Sequence, residues 1–175
     1  SGGTHHAHYG FGAGYCVFND LAVAALALHN EGRVARIAIL DLDVHQGDGT
    51  AALLAGKPGM LVASVHGKNN FPFRKVASDI DVALPDGTDD NAYLLALAPV
   101  LEQVAAFRPD LVLYLSGADP LAADRLGRLS LTHTGLMQRD RLVFDCCRRH
   151  GLPVAIAVGG GYAEPIEATV EGYAN

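Results

Sequence analysis

The feature that most constrains the fold of this chain is a series of short, mostly apolar segments of strand length. The strongest lie at residues 36–40, 60–66, 111–115 and 153–158, and a weaker one lies at 79–84. Such segments are typical of strands that are buried on both faces of a parallel sheet. Segments that we expect to be helical lie between them, at 20–31, 50–55, 89–107 and 134–150. The alternation predicts one α/β domain over residues 1–175, in which a mostly parallel sheet carries helices on both faces.

A polar cluster follows the first strong strand. Asp41, Asp43 and His45 come after residues 36–40, and alternate residues of an extended strand point to the same face. Two carboxylates that crowd an imidazole at the end of a buried strand repel each other and are costly to desolvate. A divalent cation removes that cost, and these oxygen and nitrogen ligands suit zinc or ferrous iron. The alternative is a turn in which the aspartates only cap a helix that begins near Gly49.

Further polar signals lie at strand ends or beside glycine-rich loops. Asp119 follows the third strong strand, and Tyr162 follows three glycines after the last strand. Because the carboxyl ends of parallel strands collect at one edge of a sheet, these residues can converge on Asp43. The pair His5–His6 precedes a loop with alternating glycines. It is either an acid–base pair or a disordered, tag-like end, and its spacing does not decide between the two.

The composition excludes several classes of partner. Half of the residues are hydrophobic, the net charge is −6, and lysine and arginine form no basic stripe, so direct binding to nucleic acid is not expected. No apolar run reaches the length of a membrane span. The three cysteines are odd in number and indicate no disulfide framework, so a reducing cytoplasm is the expected location. The acidic balance slightly favours a cationic substrate through electrostatic steering.

Five short motifs span the chain in a fixed order: Gly3–Ala7, Gly14–Cys16, Asp41–Gly49, Ser116–Asp119 and Gly159–Tyr162. In this order they resemble the histone deacetylase family in its broad sense, which includes bacterial deacetylase-like proteins and acetylpolyamine amidohydrolases. One such fragment is weak support, whereas five in family order are very specific. The resemblance covers only the later part of a family catalytic domain. It implies an arginase/deacetylase-like fold with an eight-stranded sheet, of which this chain supplies about the last five strands.

Carried over residue by residue, the resemblance implies a catalytic zinc ion, with ferrous iron (Fe²⁺) as the alternative. Its ligands are then Asp43, His45 and Asp119. Three protein ligands leave one position on the ion open, which is the mark of a catalytic site. Asp41 and Ser64 resemble ligands of a structural monovalent cation such as K⁺.

The resemblance also implies the acid–base groups. His5 and His6 look like the active-site histidine pair of the family, with His5 backed by Asp41 and His6 by Asp48. Carboxylates behind the imidazoles fix their tautomers and set their pKa values apart, so the pair titrates as a unit. Tyr162 matches the family tyrosine that faces the substrate carbonyl, where its hydroxyl would stabilise the oxyanion.

The implied activity is the removal of an acetyl group from an N-acetylated amine, and acetyl-lysine and acetylpolyamine substrates both remain open. Gly14, Tyr15 and Phe71 look like the walls of the substrate channel. The alternative is a truncated, non-catalytic metal-binding or interaction fragment that needs a missing N-terminal segment. In the implied fold, missing strands pair beside residues 153–158. We therefore expect self-association or a companion segment that supplies those strands, and no membrane partner.

Overall fold

The computed structural model describes residues 3–174, and within this range five strands alternate with helices. The strands are β1 (Ile37–Asp41), β2 (Met60–Gly67), β3 (Ile80–Leu84), β4 (Leu111–Ser116) and β5 (Val154–Val158). They form one sheet in the order β3–β2–β1–β4–β5, and every neighbouring pair is parallel. The predicted parallel α/β sheet is therefore confirmed.

The helices are α1 (Asp20–Asn30), α2 (Asp48–Leu54), α3 (Asp90–Phe107), α4 (His133–His150) and α5 (Glu167–Ala174). Three of them begin at a polar cap. The side chains of Asn19, Asp89 and Thr132 each accept a hydrogen bond from a backbone N–H in the following turn. The caps explain why α1, α3 and α4 begin within one residue of the predicted positions.

The boundaries around the polar motif differ from the predicted ones. β1 ends on Asp41 and the chain then bends, so the extended conformation does not continue through Asp43 and His45. α2 begins at Asp48 and not at Thr50. α5 is absent from the predicted elements, because its eight residues show little apolar periodicity.

The two faces of the sheet bury separate cores, because successive side chains of a strand point to opposite faces. On one face, Ala38 and Leu40 of β1 pack with residues of α3 and α4. On the other face, Ile37 and Ile39 pack with residues of α1 and α2. Helices therefore cover both faces of the sheet, as predicted.

The carboxyl ends of β1, β4 and β5 lie side by side, because these strands are parallel neighbours. The loops that leave them begin at Leu42, Gly117 and Gly159, and they carry the polar motifs. Ligands of open α/β sheets bind at such an edge. Among residues 3–174, no helix combines the length and the apolar character needed to cross a membrane.

Candidate active site

Asp43, His45 and Asp119 lie together beyond the carboxyl ends of β1 and β4. One ligand atom from each lies within 4.8 Å of the other two. Nδ1 of His45 is 3.0 Å from Oδ1 of Asp43 and 3.1 Å from Oδ2 of Asp119. All three residues are buried. The structure thus brings together the residues that the sequence predicts as metal ligands.

Hydrogen bonds from the backbone to carboxylates hold the bend after β1. The N–H of Asp43 donates to Oδ1 of Asp41 at 3.1 Å, and the N–H of His45 donates to Oδ1 of Asp43 at 2.9 Å. The N–H of Val44 donates to Oδ1 of Asp119 at 2.9 Å, which ties this bend to the loop after β4. These bonds, and not an extended strand, explain why the polar side chains converge.

The charges of this cluster fit a bound cation. Burial, followed by the negative charge of Asp43, raises the pKa of Asp119 to about 7. Burial by itself lowers the pKa of His45, but hydrogen bonds to Asp119 and Asp43 raise it to about 10. Both carboxylates compete for the one proton that Nδ1 of the imidazole carries. A divalent cation balances the two carboxylates and leaves the imidazole neutral, and this set of donors suits zinc or ferrous iron.

His5 and His6 line the same cavity as Asp43 and His45, and each histidine is hydrogen-bonded to a different aspartate. Nδ1 of His5 is 2.7 Å from Oδ2 of Asp41, and Nδ1 of His6 is 2.6 Å from Oδ1 of Asp48. The centroids of the two rings are 4.1 Å apart. Both histidines are buried, so the alternative of a disordered, tag-like end is wrong. Because Nδ1 of each ring is engaged, Nε2 is the atom left to act on a substrate.

The surroundings set the pKa values of the two histidines apart. Burial by itself lowers the pKa of His5, but the carboxylates of Asp41 and Asp43 raise it to about 9. Burial lowers the pKa of His6 by more than its hydrogen bond to Asp48 restores. At neutral pH, His6 is therefore a neutral imidazole that can accept a proton.

His8 also belongs to this site, although no motif in the sequence marks a partner for it. Its Nε2 lies 3.0 Å from Oδ2 of Asp48, and its ring stacks on Phe11 with the centroids 4.3 Å apart. Asp48 thus bridges His6 and His8 through its two oxygens. The one available signal is the position of His8 two residues after the histidine pair.

Tyr162 lies on the loop after β5 and lines the same cavity. Its N–H donates to Oδ2 of Asp124 at 2.6 Å, which fixes this loop against the loop after β4. Burial, followed by the charges of Asp43 and Asp119, raises the pKa of the Tyr162 hydroxyl to about 12. The hydroxyl therefore keeps its proton at neutral pH and can donate a hydrogen bond.

The cavity in front of the metal-ligand cluster has a volume of about 780 Å³. Gly14, Tyr15 and Phe71, which the sequence predicts as channel walls, all line it. The ring of Phe71 meets that of His6 edge-on with the centroids 4.8 Å apart, and the ring of Tyr15 lies 6.4 Å from that of Tyr162. The cavity therefore has aromatic walls next to the histidine pair, and such walls are typical of sites that bind an apolar group.

The wall of the cavity also carries two arginines. Arg125 and Arg128 line it, whereas their ion-pair partners Glu164 and Asp86, each at 3.3 Å, do not. Among the described residues that line the cavity, Asp43 is the only acidic one. The cavity wall therefore carries two cationic side chains, although the chain as a whole has a net charge of −6.

The predicted monovalent-cation residues lie on adjacent strands. Asp41 at the end of β1 is the register partner of Ser64 in β2, and both are buried. Oγ of Ser64 is 3.0 Å from Nδ1 of His66. This proximity is compatible with a shared ion, and the monovalent-cation site stays a prediction.

Comparisons with known proteins connect the chain to one family. A family model described as the histone deacetylase domain matches residues 1–173. Histone deacetylase 2 of Arabidopsis thaliana is 33% identical over 165 residues, which cover 92% of this chain and 43% of that protein. An uncharacterized protein of Picosynechococcus sp. (strain ATCC 27264 / PCC 7002 / PR-6) is 48% identical over 171 residues, or 97% of this chain and 57% of that protein.

A solved structure shares the fold. The crystal structure of acetylpolyamine aminohydrolase from Burkholderia pseudomallei, from an iodide soak, matches with a TM-score of 0.83 and 27% sequence identity. The match covers 97% of this chain and 52% of that one. The chain thus spans about half the length of the relatives that it matches.

Proposed function

We propose that this chain, which belongs to the histone deacetylase family, carries the catalytic site of a metal-dependent hydrolase. The motifs of the sequence indicate the same family. The proposed reaction removes the acetyl group from an N-acetylated amine of the acetyl-lysine or acetylpolyamine type. One observation carries the proposal: the buried ligands Asp43, His45 and Asp119 meet a tethered histidine pair at one cavity. Zinc is the proposed ion, with ferrous iron as the alternative.

When bound, the ion supplies Lewis acidity to the acetyl carbonyl and lowers the pKa of a water molecule. The histidine pair moves the protons. His6, held by Asp48, accepts a proton from the attacking water at Nε2, and the pair returns a proton to the leaving amine. His5 is held by Asp41, so both rings keep the orientation that proton transfer requires.

Tyr162 and the aromatic walls act on the acyl group. The protonated hydroxyl of Tyr162 donates a hydrogen bond to the carbonyl oxygen as negative charge develops there, a contribution that is typically about 3 kcal/mol. Tyr15 and Phe71 contact the alkyl chain of the substrate and exclude water from the reacting bond.

The test measures metal content and deacetylation in the same preparation. We expect about one zinc or iron per chain, and release of acetate from an acetyl-lysine coumarin substrate or from N-acetylputrescine. Asp119→Ala should lose both, because two remaining ligands bind a cation poorly. The matched control is Asp145→Ala, since Asp145 is a partly exposed aspartate paired with Arg148 at 2.8 Å on α4. Stoichiometric metal in Asp119→Ala, or metal without any deacetylation by the wild type, would contradict the proposal.

A second candidate function is a metal-binding or interaction fragment that needs further strands. In the described part of the chain β5 pairs on one side only, with β4, and its side chains Ile156 and Val158 are 56% and 50% exposed. An apolar strand with a free edge favours pairing with a companion segment or a second copy. Sedimentation and deacetylase assays on residues 1–175 distinguish the two candidate functions, because an active monomer would exclude the fragment that needs further strands.

The cysteines support a cytoplasmic location, which we propose for the protein. Cys16, Cys146 and Cys147 are all free and buried. Free thiols are typical of proteins that work in a reducing compartment.

A further inference from the structure

Helix α4 carries an arginine on its buried face. Arg139 is 1% exposed, and it lies on the same stripe of the helix as Leu136, Val143 and Cys146. Arginine is almost never fully buried unless it is paired, because a desolvated guanidinium is costly. The position would suit an apolar side chain. The reason for an arginine at this position therefore lies in its hydrogen bonds.

The guanidinium directs its donors at the ends of two strands. Nη1 of Arg139 donates to the carbonyl of Gly117 at 2.6 Å and more weakly to the carbonyl of Leu42 at 3.4 Å. Nη2 donates to Oγ of Ser116 at 2.9 Å. Nε donates to Oδ1 of Asp140 at 2.8 Å, and this carboxylate balances the buried charge.

These acceptors belong to the two segments that carry the proposed metal ligands. Leu42 directly precedes Asp43, and Gly117 lies two residues before Asp119. One planar side chain therefore joins the backbone of the loop after β1 to that of the loop after β4. Because a guanidinium holds its donors in a rigid fork, it fixes the separation of the two loops more tightly than a flexible ammonium can.

We infer that Arg139 is a positioning residue that sets the separation of Asp43 and Asp119 for the metal ion. The inference rests on the proposed function for the identity of the ligands. Arg139 touches neither ligand side chain in its hydrogen bonds, so it acts through the backbone that carries them. Loss of a contact that holds a metal ligand in place typically lowers the metal affinity by about 10–100-fold.

The test uses cobalt(II) as the probe, because its visible spectrum reports the ligand geometry directly. Arg139→Met removes the fork and keeps an apolar chain of similar length. We expect the Kd for cobalt(II) to rise about tenfold and the visible bands to change shape. Because Gly117, Ser116 and Asp140 all lose their hydrogen-bond donor, we expect the Tm of the apoprotein to fall. Arg139→Lys keeps the charge without the fork, and we expect it to restore only part of the affinity.

Val143→Ala is the matched control, since Val143 is buried one turn further along the same helix. This variant should lower Tm and leave the cobalt(II) Kd within about twofold. A wild-type Kd and spectrum in Arg139→Met would overturn the inference. An equal rise in the cobalt(II) Kd of Val143→Ala would also overturn it, because loss of stability alone would then explain the effect. If Arg139→Met does not fold, Arg139→Lys with wild-type affinity overturns it equally.

Two results separate this inference from the proposed function. A wild type that binds no cobalt(II) overturns the ligand assignment and the role of Arg139 with it. A wild type that binds the ion without deacetylating any substrate overturns the proposed function alone, while the change in Kd and spectrum in Arg139→Met still supports the positioning role.

Discussion

Gly160 donates its backbone N–H to Oδ2 of Asp43 at 2.6 Å, across 117 residues of sequence. The other oxygen of this carboxylate faces the ring of His45. A Cβ atom on Gly160 would overlap Oδ2 of Asp119 and lie 2.9 Å from Oδ2 of Asp43. The loop after β5 therefore closes on the carboxylates of Asp43 and Asp119 only because Gly160 has no side chain.

Gly160→Ala should accordingly disturb metal binding. The added methyl group has to push the loop or the two carboxylates apart, and we expect the affinity for zinc to fall at least about tenfold. Competition with a zinc chelator measures the change. Gly10→Ala is the matched control, because a Cβ on Gly10 meets no atom within 4 Å. Equal zinc affinity in the two variants would contradict the predicted role of Gly160.

Gly14→Ala should damage catalysis and leave metal binding intact. The Cβ of an alanine at position 14 would overlap the ring of His6 and lie 3.0 Å from Cε1 of Phe71, which displaces the proposed proton acceptor. A displacement of about 1 Å at such a group costs about 10²-fold in rate, and we expect kcat to fall by that order. The metal content should not change, since the three atoms nearest to the added methyl group belong to His6 and Phe71 and not to Asp43, His45 or Asp119.

The control for this prediction is Gly56→Ala. Gly56 also has a left-handed backbone, with φ of 71° against 50° for Gly14, but a Cβ there meets open space. It therefore reproduces the backbone strain of alanine at such a position without the clash. If Gly56→Ala loses as much activity as Gly14→Ala, global strain and not the contact with His6 is responsible.

The sheet could be predicted from the sequence because burial on both faces leaves a direct mark, a run of apolar residues such as 111–115. The convergence of Asp43 with Asp119 also follows from parallel strands with neighbouring ends. The conformation of the loop that carries Asp43 could not be predicted. The extended strand ends at Asp41, and hydrogen bonds from the backbone to carboxylates shape the loop that follows. Such bonds depend on three-dimensional proximity that apolar periodicity does not encode.

His8 and Arg139 could not be assigned from the sequence for a related reason. The partner of His8 is Asp48, 40 residues away, and the main acceptor of Arg139 is a backbone carbonyl 22 residues away. Neither distance corresponds to a local spacing rule. An arginine on an amphipathic helix is usually solvated, so its burial among apolar side chains appears only in the packed structure.

The charge of the cavity wall leads to a prediction about substrates. The net charge of −6 favours a cationic substrate, but Arg125 and Arg128 line the cavity and Asp43 is the only acid among its described lining residues. We therefore expect acetyl-lysine peptides with acidic neighbours to have a higher kcat/KM than acetylspermidine. The difference should shrink as salt screens these exposed charges.

The double variant Arg125→Glu, Arg128→Glu should reverse this preference. Exposed charges contribute at most about 1 kcal/mol each, so we expect a change of about fivefold per charge in the ratio of the two kcat/KM values. Arg148→Glu is the control, because Arg148 is an exposed arginine in an ion pair on α4 and lies outside the cavity. An unchanged substrate ratio in the double variant would show that the two arginines do not select the substrate.

Tyr162→Phe should lower kcat by about 10²–10³-fold with little change in KM, because the hydroxyl acts mainly on the charge that develops in the transition state. The pKa of about 12 keeps the hydroxyl protonated, so its contribution is present at neutral pH and is lost only as pH rises toward that value. The difference in kcat between wild type and variant should therefore stay constant from pH 7 to about pH 10. Tyr9→Phe is the control, since Tyr9 is 97% exposed and outside the cavity lining. If Tyr162→Phe has the kcat and the metal content of the wild type, Tyr162 takes no part in the mechanism. The proposed reaction would then have no assigned oxyanion donor.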